Sequence, residues 1–146
     1  MPRRAKGESR PVTATHLIDT NVIVRFLMGD DPPKAARATA LMERVERAEE
    51  TVELSDEVIV ESVWTLDSFY QVPRSEIFQR MTGVLSFAGI RVNSKDVLLD
   101  ALQRFANSNA DFVDCLLAAR CRRRNMRVYT FDETDFKKFN VDWDKP

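Results

Sequence analysis

The chain has 146 residues, 44% hydrophobic and 31% charged, with 22 basic and 23 acidic side chains giving a formal net charge of −1. That is the composition of one ordinary globular domain with enough residues for a substantial core. No apolar run reaches the length of a bilayer span, and the near-neutral balance leaves nucleic-acid binding to a local patch rather than to the whole surface.

Residues 1–14, MPRRAKGESRPVTA, are basic and polar, without the apolar stretch of a secretory signal, and predict a flexible tail ahead of a single domain over 15–146. THLI predicts a short strand ending at Asp19, and residues 21–28 a helix stopped by GDDPP. Pro33 suits the first turn of a helix running to about residue 49, with Ala38, Leu41, Met42, Val45 and Ala48 on its apolar face. TVELS predicts the second strand. Ser55 is placed to cap a helix to about Tyr70, with Asp56 and Glu57 in its first turn, where the dipole favours acids. VPRSEIFQRMTGVLSFAG predicts a further helix, closed by Gly89. IRVN predicts the third strand, and Ser94 caps a helix to about Phe105. NSNA breaks the chain, residues 111–124 read as a helix, and RVYTF predicts a fourth strand ending at Asp132.

Strands alternating with helices predict an α/β fold: a central, mainly parallel sheet flanked by helices on both sides. The carboxyl edge of such a sheet is the usual ligand edge. Asp19 and Asp132 each follow a strand directly, so both belong there. Glu61 interrupts the apolar run VIVESVW and reads as a buried acid. Asp111 and Asp114 open one helix and lie about 60° apart around it. Each of the strand-end acids alone has an ordinary explanation as a turn former or helix cap. Together they would repel one another at a shared edge unless a cation intervened. An all-oxygen set without His or Cys suits Mg²⁺ or Mn²⁺, ions that serve phosphodiester displacement.

The segments LIDTNVIVRFLMGDDP, VESVWTL, ADFVDCLLAARC and VYTFDETDF, in this order over residues 16 to about 141, resemble the signature segments of the PIN-domain family, most closely its VapC-type toxin ribonucleases. The resemblance implies a PIN-like single domain and a Mg²⁺- or Mn²⁺-dependent endoribonuclease, a hydrolase that cuts RNA. It further implies the toxin role in a toxin–antitoxin pair, with a small antitoxin protein and a second copy of the chain as partners. By motif, Asp19, Glu61, Asp114 and Asp132 match the catalytic acids, with Asp19 and Asp114 as the metal ligands. Asp111 matches an additional acid and is assigned a capping or water-mediated role. Thr20 and Asn21 match the polar residues after the first acid, and Thr130 the hydroxyl residue before the last. FDETDF is one residue longer than the common form, so Asp135 competes with Asp132 for the fourth position; Asp132 is favoured because it follows the strand directly. The family's usual start falls near Leu17, which makes the basic tail an extension or an artificial remnant.

Other features have plainer explanations. The basic run RCRRRNMR, residues 120–127, complements a helix C-terminus, with an RNA-backbone role as the alternative. His16, the single histidine, reads as a packing residue. Trp64, Phe69 and Tyr70 read as core or subunit interface. Cys115 and Cys121 are too few for a disulfide framework and imply a reduced, cytoplasmic protein. A rival function is a PIN-like module that binds RNA or a partner without cutting, against which the intact acidic quartet speaks. A phosphatase or phosphoacceptor domain lacks its motif acids here, and no Gly-rich phosphate loop of the GxxxxGKS/T or GxGxxG type is present.

Overall fold

The computed structural model describes residues 14–146. The predicted tail therefore lies outside the described residues, except for Ala14. Strand β1 (His16–Leu17), β2 (Val52–Glu53) and β3 (Ile90–Arg91) form a three-stranded parallel sheet in the order β1-β2-β3. Their register pairs His16 with Val52 and Val52 with Ile90. In that row Val52 and Ile90 are buried, whereas Leu17 in the next row is 72% exposed. Alternation across the pleat produces this division. His16 is itself exposed and paired with the Thr15 hydroxyl at 2.8 Å, so it is not the packing residue expected.

Helices separate these strands, as the alternating pattern requires. α1 (Thr20–Met28) is capped by Asp19 and ends at Gly29, whose left-handed φ of 71° lets its N–H reach the Arg25 carbonyl. α2 (Pro32–Glu46) begins on two prolines, whose missing N–H groups cost nothing in a first turn. It stops three residues short of the expected end. α3 (Asp56–Trp64) continues into a π-helical turn over Thr65–Phe69, so the helix expected to about Tyr70 changes its hydrogen-bond register midway. Ser55 occupies the cap position of α3 without a side-chain cap bond. Ser94 does cap α5 (Lys95–Ala106), accepting from the Val97 N–H.

α4 (Arg74–Leu85) ends before Gly89, which does not close it. Gly89 has another task. Its N–H donates to the Val45 carbonyl at 2.8 Å, and an added Cβ would collide with the carbonyl oxygens of Val45 and Glu50. Glycine is needed there for close backbone approach, not for a helix stop.

α6 (Phe112–Arg124) is the partition of the domain. Phe112, Cys115, Leu116 and Ala119, at helical spacing, enter the main core with Ile23, Leu54, Ile59, Leu98 and Phe105. Ala118 and Cys121, on another face, enter a smaller cluster with Phe136 and Val141. That cluster is closed by β4 (Val128–Tyr129), α7 (Glu133–Lys138) and β5 (Trp143–Asp144). β4 pairs with β5 in a parallel two-stranded ladder. Neither α7 nor β5 was expected, and among the described residues β4 has no ladder with the three-stranded sheet. No helix among the described residues is long and apolar enough to cross a membrane.

Candidate active site

Each acid is positioned by the element it begins or lies in. Asp19 leaves β1 in an extended conformation and accepts from the Thr20 N–H at 2.8 Å, which engages one carboxylate oxygen in the cap of α1. Thr20 is 5% exposed, one of two buried polar side chains among the described residues. Its hydroxyl donates to Glu61 Oε2 at 3.0 Å, joining the start of α1 to the middle of α3. Glu61 itself is exposed, contrary to the expectation of a buried acid. The α3 helix is apolar around Glu61 because Ile59 and Val63 turn inward, while position 61 looks outward with Trp64.

Asp114 sits one turn into α6, four residues before Ala118 and seven before Cys121, on the face turned to the small cluster. Across from it, Asp132 caps α7, accepting from the Asp135 N–H at 3.4 Å, and the Thr130 hydroxyl accepts from the Asp132 N–H at 2.9 Å. Phe136, buried against α6, fixes the helix that carries Asp135. Carboxylate oxygens of Asp114, Asp132 and Asp135 consequently lie within 4.8 Å of one another. Asp132 and Asp135, the two candidates for the fourth acidic position, thus both stand beside Asp114. Asp19 and Glu61 are not within this close group.

The electrostatics follow from the packing. Burial, then repulsion from Asp111, Asp132 and Asp135, pushes the Asp114 carboxyl above the usual aspartate range. Asp111 occupies the cap position of α6 but its side chain makes no cap bond. Its charge reaches Asp114; its capping role is not seen. Arg25 and Arg120, the cations nearest in sequence to the motifs, are committed elsewhere. Arg25 donates to Asp30 at 3.0 Å and to the Tyr70 hydroxyl at 3.2 Å, and Arg120 to Asp56 at 2.5 Å. No described arginine or lysine forms an ion pair with Asp114, Asp132 or Asp135. Three hard oxygen donors at this spacing, mutually repelling and uncompensated, fit a divalent cation. Cys115, next to Asp114, is no nucleophile: burial pushes its thiol up to about 11.

The pairing of Asp114 with Asp135 was the feature hardest to read from sequence, because it depends on α7, a helix of six residues. The capping pattern of Asp132 three residues ahead of Asp135 was the available signal.

Similarities to known proteins cover most of the chain. The family model described as PIN domain matches residues 16–141. The chain is also similar to a protein named VapC ribonuclease from Aquifex aeolicus (strain VF5), with 25% identity over 122 residues, covering 84% of this chain and 90% of that protein.

Proposed function

The chain belongs to the PIN-domain family, and on that premise we propose that it is a Mg²⁺- or Mn²⁺-dependent endoribonuclease, acting in the cytoplasm as the toxin of a toxin–antitoxin pair. The observation that carries this reading is the gathering of Asp114, Asp132 and Asp135 within 4.8 Å without a basic partner. The similarity to a protein named VapC ribonuclease supports RNA as the substrate.

Asp19 and Asp114 hold the cation in this proposal, with Asp132 and Asp135 flanking it. The bound ion would neutralise the phosphodiester and lower the pKa of a water. Asp19 has one oxygen tied to the Thr20 N–H, which fixes its plane and leaves the other oxygen for coordination. Glu61 or Asp132 accepts a proton from the attacking water and orients it in line with the leaving oxygen. The Thr20 hydroxyl, buried and donating to Glu61, limits the rotamers open to that carboxylate.

The proposed protein partners are a second copy of the chain and a small antitoxin. Trp64 and Phe69, 63% and 73% exposed along α3 and its π turn, support a covered apolar surface there. These rings are not core residues, which leaves the interface half of the sequence expectation.

Purified protein incubated with RNA tests the chemistry. Cleavage should stop with EDTA, return on adding Mg²⁺ or Mn²⁺, and be lost in Asp19→Asn. Cleavage indifferent to EDTA, or full activity in that variant, would sink the reading. A protein that binds RNA with the cation present and never cuts would favour the non-cleaving module instead.

A further inference from the structure

A cavity of about 540 Å³ lies between α5, the turn after it and α7. Gln103, Asn107 and Asn109 line one side; Asp135, Lys138 and Phe139 line the other. Asp135 also belongs to the carboxylate group, so this cavity and the candidate active site share a residue at their border. Its volume is in the range of pockets that take small organic groups.

The groups around it divide into fixed and free. Arg104 is fixed: it donates to Asp100 at 2.8 Å and to the Phe139 carbonyl at 3.1 Å, with its guanidinium 5.5 Å from the Phe139 ring centre. The Ser108 hydroxyl is fixed too, donating to the Arg104 carbonyl and accepting from the Ala110 N–H. By contrast, the side-chain amides of Gln103, Asn107 and Asn109 make no hydrogen bond to another described residue, and Lys138 makes no ion pair. Three free amides concentrated at one cavity offer paired donors and acceptors, the pattern that complements a nucleobase edge. A held backbone beside them, clamped by Arg104, keeps their spacing.

We infer that this cavity receives one unstacked nucleobase of the RNA, adjoining the bond that is cut, with Lys138 against the neighbouring phosphate. The inference rests on the ribonuclease reading above and names what would give that activity sequence preference. Single-stranded RNA is the form whose bases can be splayed out and read by their edges. A phosphate-only site would need converging cations, whereas of the cavity's two cations Arg104 is held by Asp100 and Lys138 alone is unengaged.

The test uses the full chain and a pool of short RNAs randomised around the cut position, with Mn²⁺. The wild type should prefer one base at one position beside the cut, and Asn107→Ala with Asn109→Ala should reduce that preference about tenfold. The preference retained, or a loss of rate equal for every sequence, would overturn the inference. Fluorescence anisotropy on four labelled homopolymeric RNA oligonucleotides, without metal, gives a second readout independent of cleavage. A protein that cuts no RNA yet discriminates among the four, with discrimination lost in the double variant, would fail the nuclease reading and keep the base pocket. Equal binding of all four by the wild type would remove the pocket whatever the cleavage result.

Discussion

The two ends of α6 carry opposite charges and treat them differently. At its C-terminal end Arg120 pairs with Asp56 at 2.5 Å, Arg123 approaches Asp96 at 3.9 Å, and Arg127 beyond the helix pairs with Asp144 at 2.7 Å. At its N-terminal end Asp111 and Asp114 face further acids and no cation. Both ends agree with the helix dipole, which favours acids at the start and bases at the finish. The dipole therefore does not explain the difference; the partners do. The arginines of the basic end that meet carboxylates serve the structure. An acidic end whose carboxylates repel one another is left without a partner, and the proposed function makes that end the metal site.

Breaking the acidic end should give the largest effect on activity. Asp114→Asn should lower RNA cleavage by about a thousandfold or more, in line with losing a ligand of a catalytic cation. Asp111→Asn, which removes only a neighbouring charge, should cost about tenfold. Single-turnover rates of the two variants would show the order, and a reversed order would mean the cation sits toward the loop.

Breaking the basic end should act on stability instead. Arg120→Ala leaves Asp56 without its cation at a partly buried position, side chains 33% and 20% exposed, and should cost about 1 kcal/mol. That corresponds to roughly 2–4 °C in Tm for a chain of this size. RNA cleavage at saturating metal should stay within a factor of about two. A large activity loss with Tm unchanged would transfer this end to the substrate-binding surface.

The smallest effect sharpens the comparison most. Because the Asp114 carboxyl titrates above its ordinary value, the folded chain holds a proton at pH values where the unfolded chain has released it. The contribution of this group to stability is thus greatest below that window and declines as pH rises through it. In metal-free protein Asp114→Asn should raise Tm by about 2 °C at neutral pH, with the gain vanishing in acid. Thermal scans in EDTA at several pH values would show it. A fall in Tm at neutral pH would mean that Asp114 is a structural acid, satisfied by its surroundings.

The α/β class and most helices were legible because they rest on local pattern. Asp19, Ser94 and the paired prolines 32 and 33 mark helix starts through their own backbone chemistry. Period and length, however, carry no information on packing at a distance. Glu61 reads as buried because its neighbours are apolar, yet a helix can bury Ile59 and Val63 and leave position 61 outside. Gly89 reads as a helix stop because glycine usually is one, whereas its need comes from backbone carbonyls more than thirty residues upstream. α7 and β5 are too short for a periodic signal, and Asp135, a competitor of Asp132 in the sequence, meets Asp114 through α7. The acids were visible as a set; which of them meet was a property of tertiary contact.

The π-helical turn at residues 65–69 has a consequence for how this chain tolerates change in length. The Tyr70 N–H reaches back five residues to the Thr65 carbonyl, so the turn holds one residue more than an α-helix would. Deleting a single residue there would remove the extra one and restore the ordinary register, leaving the chain on either side of the turn in phase. Tyr70 would then keep its place beside Asp30, to which its hydroxyl donates at 2.5 Å, and the connection between α1 and α2 would keep its tether. The segment thus behaves as slack in the helix: one residue can leave it without uncoupling the parts of the domain on either side.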